Sequence, residues 1–323
     1  MHNRQNALHQ WLQTILPSKP FTLIPLTGDA SFRRYFRLEQ DEKKWVVMDA
    51  PPDKEPLEPF VNAANLLQSA GLRTPFIHAI NMEEGFAILE DFGDMLLLNQ
   101  LTKETVDEYY KAAMSILIRL QDYSSKTRAP LPSFDNGWAL KELNLFNEWF
   151  LGAYLQVELS HKEQQLIAET FAWLSNEINQ QAQVIIHRDY HSRNIMVLND
   201  GLGIIDFQDA MYGPFTYDLV SLLKDCYVKW PREQILHWLS YFYHQSALCQ
   251  QYSLNDYIRA FDYCGLQRHF KVLGIFSRLA LRDNKPNYLN DLPLTLHYVM
   301  VCLESYSELK PFYSFMQERI CLP

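Results

Sequence analysis

The 323-residue chain has few cysteines. The five it has (Cys226, Cys249, Cys264, Cys302 and Cys321) are odd in number, widely spaced and never arranged as Cys-x-x-Cys. That argues against a disulfide framework or a zinc site and fits a reducing compartment. Cationic side chains are the minority, 29 Lys and Arg against 38 Asp and Glu, for a net charge of −9. A broad basic footprint for nucleic acid is therefore not expected, and the acidic balance favours solubility. No apolar run approaches membrane-spanning length. The opening "MHNRQNALHQWLQTILPS" sets Leu8, Trp11, Leu12 and Ile15 at helical spacing among polar residues, without the unbroken apolar core of a secretion signal. The expectation is a cytoplasmic protein with neither membrane nor nucleic acid as partner, and its oligomeric state is not legible. Gly/Ser-rich linkers, repeats and low-complexity tracts are also lacking, so any domain boundary is a tight hinge.

What is present is a 48% hydrophobic composition, enough for a substantial core, and a change of texture near residue 90. Before it come short β-like runs, "FTLIPL" (21–26), "YFRLEQ" (35–40), "KWVVMDA" (44–50) and "GFAILED" (85–91). One helical insert, "LEPFVNAANLLQSAG", ends at Gly71, a fitting helix cap. After residue 100 the pattern is long helices, broken by a single hairpin near residue 200. These runs predict an α+β, two-lobe architecture: a small antiparallel-sheet N-lobe over 1–92 and a mostly helical C-lobe over 93–323. A cleft between two such lobes is a natural ligand site.

That hairpin lies inside "VIIHRDYHSRNIMVLNDGLGIIDFQDA" (184–210). "IMVL" and "LGII" flank Asn-Asp-Gly, which is strong turn chemistry. With a three-residue loop of Asn199, Asp200 and Gly201, pairing is symmetric about residue 200 and Asn194 faces Asp206. Opposed residues have Cβ atoms about 4.5–5.5 Å apart, close enough to share one Mg²⁺. Magnesium takes one or two carboxylate or amide oxygens and fills its shell with water and phosphates. Asp189, in the loop upstream, can align and deprotonate an attacking hydroxyl.

His-Arg-Asp-x-x-x-x-Asn, a hairpin, then Ile-Asp-Phe is the catalytic-loop and metal-loop signature of the protein-kinase-like fold. Catalysis is thus expected from Asp189, Mg²⁺ binding from Asn194 and Asp206, and bracing of the loop from His187. Departures from protein kinases are informative: Gln208 replaces the Gly of D-F-G, and no A-P-E segment follows. The continuation "DAMYGPFTYDLVSLL" resembles the aminoglycoside phosphotransferase and choline kinase branch, which implies that Asp218 supports the catalytic loop and that the acceptor is a small molecule.

"TGDASFRRYFRL" (27–38), "VVMDAPP" (46–52), "LEDFGD" (89–94), "HRDYHSRNIM" (187–196), "IDFQDAMYGP" (205–214) and "GLQRHFKVLGIFSRLALRD" (265–283) resemble the bacterial anomeric kinases of N-acetylmuramate and N-acetylglucosamine. The resemblance implies ATP-dependent phosphorylation of the C1 hydroxyl of an amino sugar in peptidoglycan recycling. It also implies that backbone groups from Glu90 to Phe92 meet the adenine edge. The alternatives are another small-molecule kinase, acting on an aminoglycoside, choline or another sugar, or a nucleotide-binding regulator without catalysis.

Within "GDAS", Gly28 and Ser31 are placed to cover ATP phosphates with backbone N–H groups and a hydroxyl. The third strand carries Met48 about where a kinase has its phosphate-binding lysine. Either Arg33 or Arg34 replaces that cation, only one of them facing the ligand by strand alternation, or binding relies more on the metal. A helix carboxylate such as Glu58 then need not form its usual ion pair. Asp91 and Asp94 read equally as solvated or functional. On the longest predicted helix, Arg268, Lys271, Arg278 and Arg282 form a basic stripe suited to an acceptor carboxylate, against the plainer reading of a salt-bridged face.

Overall fold

The computed structural model describes residues 2–16, 19–26, 32–320 and 322. The chain divides into two compact units. Unit one takes in Met1–Leu96 and Met196–Asp209, unit two Leu97–Ile195 and Ala210–Pro323. A single cut between 92 and 93 would separate most of these residues but strand 196–209 on the wrong side.

Unit one is built on α1 (His2–Ile15), β1 (Thr22–Leu26), β2 (Arg34–Gln40), β3 (Lys43–Asp49), α2 (Leu57–Ser69), β4 (Ile77–Asn81) and β5 (Phe86–Glu90). The strands form one antiparallel sheet in the order β1-β2-β3-β5-β4. Asp41 turns β2 into β3 with φ of 55°, a left-handed conformation that Asp tolerates because its short side chain bonds locally. α1 lays Leu8 and Leu12 on Phe36, Leu38, Val47, Phe86 and Ile88, all buried. Burying each such leucine is worth about 1.5–3 kcal/mol, enough to hold a two-faced sheet closed on that side. α2 ends as its sequence indicates, with Ala70 as cap and Gly71 beyond it at φ +76°. β4 escaped the sequence reading.

Unit two comprises α3 (Val106–Ser124), α4 (Asn136–Leu145), a π-helix (Phe146–Tyr154), α5 (His161–Asn179), β6 (Gln183–Ile186), β9 (Met211–Pro214), α6 (Tyr217–Leu223), α7 (Arg232–Gln245), α8 (Leu254–Leu281), α9 (Leu292–Ser305) and α10 (Lys310–Arg319). α8 is its axis. Ser253 caps it by accepting the Asp256 N–H at 3.1 Å, and it packs on α4, the π-helix, α5, α6 and α9. Gly274 lets α8 touch the end of α4: a Cβ there would stand 2.4 Å from the Leu145 carbonyl carbon and oxygen. The hairpin is not the lone exception to helix, since β6 pairs with β9.

The hairpin itself is β7 (Ile195–Leu198) and β8 (Gly201–Ile204). β8 starts at Gly201, so Asn199 and Asp200 alone make the turn, one residue fewer than expected. A ladder centred on residue 200 needs the longer loop. The opposition of Asn194 and Asp206 is therefore not a property of the ladder, and both residues lie beyond the strand ends. Within unit one the hairpin is tied down where Val197 N–H donates to Met95 C=O at 2.8 Å and Ile204 N–H to Arg73 C=O at 2.7 Å. Among the described residues, no helix is long and apolar enough to cross a membrane.

Candidate active site

β6 delivers the chain into the loop 187–194, and backbone strain begins there: Arg188 has φ of 76°. That left-handed turn is held from below by Asp218, buried in the first turn of α6. Its carboxylate accepts the N–H of His187 at 2.6 Å and of Arg188 at 2.9 Å. Burial pushes Asp218 up to about 6, against the pull of His187 and the two amides. His187 is buried too, and its Nδ1 accepts the Asp189 N–H at 3.3 Å. Further along, Asp225 takes both the N–H (2.9 Å) and the hydroxyl (2.5 Å) of Ser192, and the Tyr190 hydroxyl donates to Ala113 C=O at 2.9 Å. The loop is fixed at nearly every residue.

Asp189 stands at the head of this loop with its side chain 37% exposed. Burial alone would raise its pKa, but the charges of Lys271, His191, Arg268 and Arg188 outweigh that and hold it below the usual carboxylate range. The Arg268 guanidinium lies 4.0 Å from its Oδ1. Asn194 donates from its amide nitrogen to the Asp189 carbonyl at 3.0 Å, which fixes the amide and leaves its oxygen pointing away from that carbonyl.

Beneath Asp189 lies Glu142, a buried carboxylate on α4. It accepts from Arg188 Nη2 (2.8 Å), Trp138 Nε1 (3.0 Å) and Gln267 Nε2 (3.1 Å), and pairs with Lys271 Nζ at 3.2 Å. Lys271 also donates to the Tyr217 hydroxyl at 3.2 Å. Sequence reasoning missed Glu142. The available signal was a lone carboxylate on the apolar stripe of α4, between the buried Ala139, Leu143 and Phe146, where an acid is found only if paired. The expected basic stripe of α8 splits: Arg268 and Lys271 are buried beside these carboxylates, Arg278 is half-buried farther along, and the exposed Arg282 pairs with Asp283 at 2.8 Å.

In unit one, Gly28 and Ser31 lie outside the described residues. Arg34 is directly opposite Asp49 in the β2–β3 ladder and bonds its carboxylate, which Arg4 of α1 also reaches at 2.6 Å. Arg33 instead pairs with Glu55 at 2.9 Å. Glu90 spends its carboxylate on Arg73, which lowers its pKa, and its N–H on Phe76 C=O at 2.8 Å. Phe92 lies under the Arg73 guanidinium, 4.9 Å from ring centroid to Cζ, and against Gly203. Asp91 and Asp94 both clasp Arg37, at 2.6 and 2.9 Å, rather than standing in solvent unpaired. Asp206 holds φ of 62°, its Oδ1 accepts from Gln208 Nε2 at 2.9 Å, and the next residue, Phe207, is buried and stacked on Phe60 of α2 at 5.0 Å. A carboxylate fixed in that left-handed turn and the oriented amide of Asn194 are hard oxygen donors of the type magnesium takes.

A five-stranded antiparallel sheet in one unit and a mostly helical second unit with a kinase-type loop are the parts of a protein-kinase-like α+β fold. Residues 22–248 match the family described as "Phosphotransferase enzyme family", and the chain belongs to it. It is 37% identical over 319 residues to the N-acetylmuramate/N-acetylglucosamine kinase of Pseudomonas aeruginosa, covering 95% of this chain and 94% of the relative. The enzyme of the same name from Neisseria meningitidis is 36% identical over 325 residues, 98% of this chain and 96% of the relative. Among solved structures, a choline kinase from Streptococcus pneumoniae aligns with a TM-score of 0.65 at 13% identity over 94% of this chain and 100% of that one, a likeness of fold alone.

Proposed function

We propose that this chain transfers the γ-phosphoryl group of ATP to the anomeric hydroxyl of N-acetylmuramate, N-acetylglucosamine or both, a step of peptidoglycan recycling. The observation that carries the chemistry is Asp189, kept ionised by a cationic cluster at the head of a fully braced loop. The acceptor rests on the name shared by relatives aligned over nearly the whole chain.

In this reaction the C1 oxygen bonds to the γ-phosphorus, the bond from that phosphorus to the ADP oxygen breaks, and the hydroxyl proton passes to Asp189. The transition state is loose, so the hydroxyl needs orienting more than it needs a strong base. An unusually acidic aspartate suits that role, because it binds the proton as an acceptor and takes it late. Magnesium, when bound, neutralises charge on the phosphates; Asn194 and Asp206 are the residues that would hold it. Adenine would meet the backbone of Asp91 and Phe92, the Glu90 N–H being used within the sheet. Arg268 and Lys271 place positive charge beside Asp189, which favours a neutral or anionic acceptor over a polycationic aminoglycoside.

The test is purified protein with Mg·ATP and a panel of N-acetylmuramate, N-acetylglucosamine, glucosamine, choline and kanamycin, read by ADP release. ADP formation with the N-acetylated sugars and a C1 phosphate by ³¹P and ¹³C NMR are expected. Turnover confined to choline or kanamycin, or phosphate on C6, would reject this acceptor assignment.

A further inference from the structure

Met48 stands where a lysine would neutralise ATP phosphates, and two adjacent arginines are candidates to replace it. The β2–β3 register separates them. Arg34 is opposite Asp49 and Tyr35 opposite Met48, so Arg34 and Asp49 share one face of the sheet and Tyr35 and Met48 the other. The Arg34 face is the one α1 covers: Phe36 and Val47 lie on it in the core, and Arg4 of α1 joins Arg34 on the buried Asp49. Arg34 is thus committed to a structural cluster on the far side from Met48.

Arg33, one residue before β2 begins, pairs elsewhere. It is buried and ion-paired with Glu55 at 2.9 Å, just upstream of α2. Glu58, the helix carboxylate expected in such a role, is exposed. Burial raises the Tyr35 phenol, with smaller effects from the charges of Asp206, Arg33 and Glu55. Phe207, next to Asp206, stacks on Phe60 of α2 and holds the metal-loop segment beside the same helix.

We propose that Arg33, anchored by Glu55, is the cation that binds the nucleotide phosphates, taking the place of the strand lysine lost at Met48. A guanidinium suits the role because its planar fork binds a phosphate through two N–H groups. This inference rests on the nucleotide half of the proposed function and not on the sugar, so it is tested by binding without any acceptor.

The experiment measures affinity of the full chain for Mg·ADP, Mg·ATP and adenosine by calorimetry, alongside melting temperature. The variants are Arg33→Met, Arg33→Lys, Glu55→Gln and Arg33→Met combined with Met48→Lys. Arg33→Met should weaken ADP and ATP by about 10- to 100-fold, the loss of one charge-assisted pair, with adenosine unchanged. Arg33→Lys and the Met48→Lys double variant should each recover most of that loss, and Glu55→Gln should cost several-fold. Two results would overturn the proposal: Arg33→Met binding ADP as the wild type does, or Arg33→Met losing adenosine and ADP in equal proportion. Wild-type protein that binds no nucleotide at all would sink the kinase reading itself, whereas tight ADP binding without sugar turnover would sink only the acceptor.

Discussion

Asp189 is surrounded by cations that it does not bond tightly, the nearest being Arg268 at 4.0 Å. It is therefore charged over the whole working range, and activity lost in mild acid would come from another group. Replacing Asp189 with Asn removes the proposed proton acceptor while keeping the shape. We expect kcat to fall by about 10²–10⁴-fold, the usual worth of a positioned acid or base, with the affinity for ADP little changed. Pre-steady-state ADP release together with calorimetry checks both halves. Glu142 makes the opposite kind of prediction. Glu142→Gln leaves Arg188 and Lys271 short of a counter-charge inside the protein, and breaking such a pair costs about 3–5 kcal/mol. The variant should be displaced strongly in urea unfolding; an unchanged midpoint would show that water already screens the cluster.

The catalytic loop as an element depends on Asp218, and its burial sets a pH dependence. Its carboxyl is easier to protonate in the folded protein, about 6 against an ordinary 3.8, so its stabilising contribution is complete below pH 3.8 and lost as pH rises through 6. That rise is worth about 3 kcal/mol. Asp218→Asn removes the titration, so wild-type stability minus variant stability should fall between pH 4 and pH 7. Parallel curves would contradict the assignment. In α8, Gly274→Ala forces a methyl against the Leu145 backbone and should cost about 1–3 kcal/mol, the usual penalty of overpacking, seen as a lower melting temperature. Element by element, legibility followed length and local chemistry. The strands with clear alternation and the Ser253-capped α8 were readable, and the turn was located but made one residue too long by including Gly201. β6 and β9, four residues each, were not, because no turn joins them, whereas the equally short β7 and β8 flank the Asn-Asp-Gly signal. Asp189, Asn194 and Asp206 stood out through fixed spacing along the chain, whereas Glu142 and Glu55 act through partners distant in sequence, which no local pattern encodes. The choice between Arg33 and Arg34 needed the register of β2 against β3.

For the whole molecule, ligand binding and stability are linked. ADP at 100 times its dissociation constant should stabilise the protein by about 2.7 kcal/mol, and Asp189→Asn should keep that gain in full. A thermal shift with Mg·ADP in both proteins measures it, and a shift lost in the variant would place Asp189 in nucleotide binding rather than in proton transfer. The surplus of 38 acidic over 29 basic side chains leaves the surface negative while the cations that matter are buried, so catalytic constants should respond to added salt far less than solubility does.

The return of residues 196–209 into unit one has a consequence for biosynthesis. On the ribosome, residues 1–96 emerge before the segment 196–209 that completes their unit, and the 99 residues Leu97–Ile195 must be translated first. At about 5–20 residues per second that takes roughly ten seconds, during which unit one stays incomplete.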